Sequence, residues 1–184
     1  MGAIQARRMR ADDVLACARI VAGERLWQRY GQTLPRARGA IRRALASKGR
    51  ASKGRGGAAA PDAGVLAVAC EAGRVVGFIW FHRTGTFHHS GYVRWVGVAP
   101  EARGRGVGRA LMRYAEERIF KAGPNVFLLV ADFNVAAQAF YEDLGYTRVG
   151  AIPDYVVRGV TELLYRKTRG PIAAKNRKAV LTEG

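Results

Sequence analysis

Residues 94 to 111 pass from an apolar stretch at 95–98, through Pro100 and a glycine-rich turn, into a helix-forming run that starts near Val107. A chain with this order must put a strand end, a tight turn and a helix start at one place. A helix start leaves about four backbone N–H groups unpaired, and the aligned peptide dipoles put about half a positive charge there. A phosphate suits such an end. Gly104, Gly106 and Gly108 let the backbone come close to a ligand, and Arg103, Arg105 and Arg109 bring positive charge to the same turn. The segment is therefore read as an anion cradle.

Spacing narrows the ligand. A nucleotide P-loop needs Gly-Lys-Ser/Thr, which the chain lacks. The dinucleotide fingerprint also fails, because a third glycine would have to stand at Arg109 or Leu111. What fits is R-x-x-G-x-G across Arg103, Gly106 and Gly108, preceded by Val96, Val98 and Pro100 at alternate positions. Downstream, residues 125–130 form a short apolar run that reads as a buried strand. Asn134 then caps a helix with Ala137, Phe140, Tyr141 and Leu144 at helical spacing, and Gly145 sits where such a helix ends. Asn134 lies 26 residues beyond Gly108.

The two strings, in this order, resemble the two signatures of the GNAT superfamily of N-acetyltransferases. The resemblance spans roughly residues 62 to 168 and, more weakly, the first 30. It implies an α/β (α+β) fold, with a mixed, mostly antiparallel sheet of six to seven strands flanked by about four helices. It also implies acetyl-CoA as cofactor, an amine acceptor and no metal. The strand around Val96, Gly97 and Val98 would part from its neighbour and offer backbone groups to the pantetheine arm and thioester. The pyrophosphate would rest on the amides of 103–109, which include Gly104, Arg105, Val107 and Arg109. Asn134, with Ala137 and Phe140 on the same helix, would border the cofactor; a plain helix cap explains Asn134 equally. Tyr141 would be the general acid near the sulfur, and its alternative is a core aromatic.

One departure concerns the base. Many members carry a Glu where this chain has Tyr92, and no carboxylate lies between Arg74 and Val98. His82 or His88 is the candidate base, acting through water, with His89 beside them. Exposed loop histidines would look the same. A weak base favours an acceptor of lower pKa, because an α-amine near 8 is about a tenth neutral at pH 7 and a lysine far less. Residues 151 to 159 read as a long connection bordering the acceptor site, where Asp154 would hold an ammonium and Tyr155 would gate it, with Tyr92 nearby. Turn and packing roles fit Asp154 and Tyr155 as well.

The coarse path runs from a strand at 4–9 to a helix capped by Asp12 or Asp13, a basic helix at 34–46, and a hairpin of strands at 65–70 and 74–81. A strand at 92–98, the cradle helix, and late strands near 146–149 and 160–165 complete it. One domain is expected over 1–168, with a basic Gly/Ala-rich insertion at about 47–61 and a basic tail at 169–184. Cys17 and Cys70 have no metal-ligand spacing and read as two buried thiols. No apolar run is long enough for a membrane span, so a soluble cytoplasmic protein, monomer or homodimer, is expected.

The net charge of +17 concentrates in two places: residues 36–55 carry eight basic and no acidic side chains, and 166–178 carry six and none. Binding of nucleic acid or ribosome through these segments is the alternative partner reading. The matching alternative function is a catalytically idle module of the same fold that holds a polyanion or a protein partner.

Overall fold

The computed structural model describes residues 2–47, 64–87 and 89–173. Its strands are β1 (Gln5–Arg8), β2 (Val65–Glu71), β3 (Arg74–Thr86), β4 (Ser90–Val98), β5 (Asn125–Ala131), β6 (Thr147–Pro153) and β7 (Thr161–Thr168). They form one sheet in the order β1-β2-β3-β4-β5-β7-β6. Only β4 and β5 run parallel, because α4 (Val107–Ile119) crosses over between them. The remaining helices are α1 (Val14–Gly23), α2 (Arg25–Arg29), α3 (Leu34–Ala46) and α5 (Val135–Asp143).

Apolar side chains of β2 and β3 are buried on both faces, which is why those strands read as continuous apolar runs. On one face lies α4, whose Val107 and Leu111 close over Gly77 and whose Ile119 closes over Gly91. The opposite face carries α1 and α2, with Ile20 and Trp27 against Gly97. Trp27 stacks at 6.0 Å from both Phe78 and Trp95. Glycine at 97 is needed because a methyl group there would sit 2.7 Å from Trp27 and Phe78.

Gly91 faces α4 and Gly97 faces α2, although strict alternation would put two residues six apart on the same face. The cause is an extra residue in β4. Trp80 pairs with Trp95 and Phe81 with Val93, leaving Arg94 unmatched as a β-bulge. Pairing between β4 and β5 covers Gly91↔Val126, Tyr92↔Phe127 and Val93↔Leu128, and stops at the bulge. Beyond it, Leu129 to Ala131 of β5 pair with β7 alone.

The sheet and its flanking helices are as expected; among the described residues there are five α-helices, of which α2, with only Leu26 and Trp27 as apolar residues, is too short to show periodicity in the sequence. Several other expectations need adjustment. Asp13 occupies the cap position of α1 without capping it; its carboxylate turns back to accept from the Arg10 N–H at 2.7 Å and from both Arg7 Nη atoms at 2.7 and 2.9 Å. Strand β6 extends to Pro153, so the connection read at 151–159 is shorter than expected. Both cysteines are free, but only Cys17 is buried, while Cys70 is half-buried beside Arg7. Most of the insertion at 47–61 and most of the tail at 169–184 lie outside the described residues. Among the described residues no helix is long and apolar enough to cross a membrane, and no cluster of metal-ligating side chains occurs.

Candidate active site

The turn ahead of α4 is built by two left-handed glycines, Gly104 at φ 69° and Gly106 at φ 81°, conformations costly for any residue with a side chain. Gly106 caps the helix with no side-chain bond, and the first intrahelical bond runs from Ala110 N–H to the Gly106 carbonyl at 3.0 Å. The amides of Val107, Gly108 and Arg109 therefore precede the helical ladder with no cap upon them. Gly108 serves packing as well as approach: a methyl there would stand 3.0 Å from the Phe140 ring of α5.

The three arginines of the turn differ from the expectation of free positive charge. Arg103 pairs with Glu24 between α1 and α2, Arg105 with Glu71 at the end of β2, and Arg109 with Asp143 at the end of α5. An arriving anion would exchange with these carboxylates, so the amides and the helix dipole, rather than net arginine charge, are the uncommitted part of the cradle.

The bulge opens a second set of backbone groups. Ala99 N–H bonds the Val76 carbonyl of β3 at 2.9 Å. Alternation along the ladder then directs the N–H and C=O of Gly97 toward β3 and those of Val96 and Val98 away from it, toward the side where β5 has parted. The opening lies directly before the cradle in the chain.

Across this opening, α5 brings Tyr141. Asn134 caps that helix, accepting from the Ala137 N–H at 3.3 Å, so the capping role is realised. Phe140 packs edge-on to Tyr141 at 5.2 Å, and Tyr146 packs on Tyr141 at 5.8 Å. Burial, with a smaller push from Tyr92, drives the Tyr141 phenol well above the ordinary tyrosine value, so its proton stays on at any working pH.

On the α2 side the opening is bordered by Tyr92, Tyr30, Arg94, Tyr155 and Glu162. Burial raises the Tyr92 phenol; Arg94 opposes this, and Tyr155 and Glu162 add to it, which places these groups in one electrostatic neighbourhood. Tyr30 donates to the Glu162 carboxylate at 2.7 Å. Neither Tyr30 nor Glu162 was legible as a site residue. They lie 132 positions apart, and a single glutamate in a strand ordinarily reads as solvent-facing. His82 pairs across the ladder with Tyr92 and stacks near Trp80 at 6.2 Å. His88 lies outside the described residues. Asp154 closes its own loop, accepting from the Gly159 N–H at 2.6 Å, and Tyr155 is exposed at the rim.

Comparison with known proteins agrees with this geometry. The family model described as "Acetyltransferase (GNAT) family" matches residues 24–146. A mycothiol acetyltransferase of Pseudarthrobacter chlorophenolicus is 39% identical over 90 residues, which are 47% of this chain and 28% of that protein. The chain thus spans little more than a quarter of the length of that relative. N-alpha-acetyltransferase RimI of Mycobacterium tuberculosis is 36% identical over 102 residues, 54% of this chain and 63% of that one. Among solved structures, a putative GNAT-family acetyltransferase from Desulfovibrio desulfuricans superposes with a TM-score of 0.71 at 20% identity, covering 90% of this chain and 99% of its own.

Proposed function

The chain belongs to the GNAT acetyltransferase family, and from that premise we propose that it moves an acetyl group from acetyl-CoA to a primary amine by direct transfer. One observation carries the reading: two uncommitted sets of backbone groups, the uncapped amides of α4 and the outward groups of Val96 and Val98, adjoin a single opening in the sheet. The first set suits a pyrophosphate and the second the amides of a pantetheine arm and a thioester carbonyl. These residues fit the group, and acetyl-CoA would supply the activated acetyl thioester.

The chain's own residues supply position and protons. Val107, Gly108 and Arg109 orient the phosphates by their N–H groups, and Arg103 and Arg105 exchange carboxylate for phosphate. Asn134, Ala137 and Phe140 wall the α5 side. The Tyr141 hydroxyl holds the proton that a departing thiolate needs. The acceptor, whether a small amine, an amino acid or a protein N-terminus, enters from the α2 side past Tyr92, with Asp154 and Tyr155 at the rim and His82 on the adjoining strand.

Titration calorimetry with acetyl-CoA tests the reading. The expected dissociation constant lies between submicromolar and tens of micromolar, on the order of −6 to −9 kcal/mol. Absence of binding would overturn it. A screen of acetyl acceptors across amino acids, small amines and N-terminal peptides then identifies the substrate.

A further inference from the structure

Two carboxylates are buried among the described residues, Asp13 at 7% and Glu162 at 4% exposure, and they are treated differently. Asp13 is held by the Arg7 guanidinium through both of its oxygens. Glu162 has a single donor, the neutral Tyr30 hydroxyl at 2.7 Å, and no cation pairs with it among the described residues. Burying a charge without a counter-charge is strongly unfavourable, and a cationic ligand would supply the missing charge. A carboxylate offers about four acceptor positions, and Tyr30 takes one.

Position gives this carboxylate its use. Glu162 lies opposite Ala131 of β5, three residues past Leu128, where β4 has already parted from the sheet. Along β7, Tyr165 reaches Glu142 of α5 on one face, and alternation turns Glu162 to the other, where Tyr30 at the end of α2 meets it. Tyr141 therefore reaches the opening from the α5 face and Glu162 from the α2 face. Between them stands Tyr92, close enough to both to interact electrostatically.

The geometry points to Glu162, held by Tyr30, as the group that docks the acceptor's ammonium and takes its proton. This rests on the acetyl transfer proposed above. The balance is complete without a further reactant. One N–H bond of the ammonium breaks, an O–H bond forms on Glu162, and that proton passes on to solvent. The freed nitrogen lone pair forms the C–N bond while the C–S bond breaks. A second proton leaves nitrogen for water, and the thiolate takes one from Tyr141, which solvent restores. The net products are an amide, a thiol and one proton.

The same chemistry selects the acceptor class. An α-ammonium near 7.8 gives up its proton more readily than a lysine ammonium near 10.4, by about 2.6 units. The acceptor is therefore an α-amine, free or at a peptide N-terminus.

The test uses the full chain and its E162Q variant. Calorimetry with acetyl-CoA comes first, followed by thiol release from acetyl-CoA with a pool of tripeptides Xaa-Ala-Ala bearing every amino acid at the first position, and with the free amino acids. E162Q is expected to bind acetyl-CoA within about twofold of the parent, to melt no lower, and to lose about 100-fold or more in kcat/KM. Glu162→Asp, which keeps the charge, is expected to recover part of that loss. Turnover by E162Q at the parental rate overturns the inference, as does a variant that melts lower and loses acetyl-CoA affinity, since either result leaves Glu162 a structural residue. A parent that binds acetyl-CoA yet acetylates neither a tripeptide nor a free amino acid overturns the α-amine assignment. Failure of the parent to bind acetyl-CoA is a separate result, which removes the transfer reading and this inference with it.

Discussion

Deleting Arg94 should close the opening in the sheet while leaving the fold intact. Arg94 is the one unmatched residue between Val93 and Trp95, so its removal restores a continuous ladder with Trp80 and Phe81 of β3. Every neighbour keeps its face: Gly91 and Val93 stay toward α4, and Trp95 and Gly97 stay toward α2. Without the bend, β4 can run on beside Leu129, Val130 and Ala131 of β5, doubling the three pairs now made. The N–H and C=O groups of Val96 and Val98, four in all by the alternation argued above, would then bond β5 instead of a ligand. At about 1 kcal/mol net per bond, that removes roughly 3–4 kcal/mol from acetyl-CoA binding, or about 100- to 1,000-fold. Thermal melting is expected to hold or rise as the ladder extends, and calorimetry should find acetyl-CoA binding reduced by at least two orders of magnitude. A deletion variant that folds and binds acetyl-CoA as tightly as the parent would refute the claim that the bulge makes the site.

Three further outcomes follow from other parts of the molecule. Tyr141→Phe should slow transfer to the tripeptide pool by about 100-fold, or about 2.7 kcal/mol, with acetyl-CoA affinity unchanged. Because burial raises this phenol above 10, the parental rate should show no descending limb from Tyr141 below pH 10; unchanged turnover in the variant removes its role as acid. Gly91→Ala drives a methyl into the buried Ile119 and should cost about 1–3 kcal/mol of stability by denaturant melting, with Ile119→Ala in the same chain returning part of it; a neutral Gly91→Ala refutes the contact. At Asp13, burial pushes the carboxyl up, but the bonds from Arg7 and the Arg10 N–H outweigh it and hold the group below the usual value. A depressed carboxyl stabilises fully above its unfolded value near 3.9, and that share is lost as pH falls through the folded one. Asp13→Asn should therefore cost about 1.5–3 kcal/mol at pH 7 and flatten the acid limb of the stability curve below pH 4; an unaltered acid limb would contradict this.

How much of this was legible depends on how local each feature is. The cradle and α5 are written in consecutive residues: Gly104 and Gly106 adopt the left-handed turn, Asn134 caps α5, and α3 covers the stretch that Pro35 announced. The bulge is not local. Arg94 has no special backbone requirement, and only the pairing of β3 with β4 shows it to be extra. The arginine pairs escaped for the same reason, since Glu24, Glu71 and Asp143 are brought to the turn by three different elements. Glu162 was hidden by strand alternation: a charged residue between Thr161 and Leu163 reads as solvent-facing, and only the arrival of Tyr30 from α2 buries it.

The three-pair seam between β4 and β5 also divides the molecule as a folding object. On one side β2, β3 and β4 are joined as successive antiparallel neighbours, and on the other β5, β7 and β6 are; only the crossover through α4 ties the two groups in the chain. Contacts made by short loops form early, and a parallel pair that must wait for a helix to cross forms late. Hydrogen exchange should therefore find the seam amides around Tyr92, Phe127 and Leu128 less protected than those of β2 and β3, as the boundary between two cooperative units. A ligand lodged along that boundary would act as mortar, slowing exchange on both sides at once.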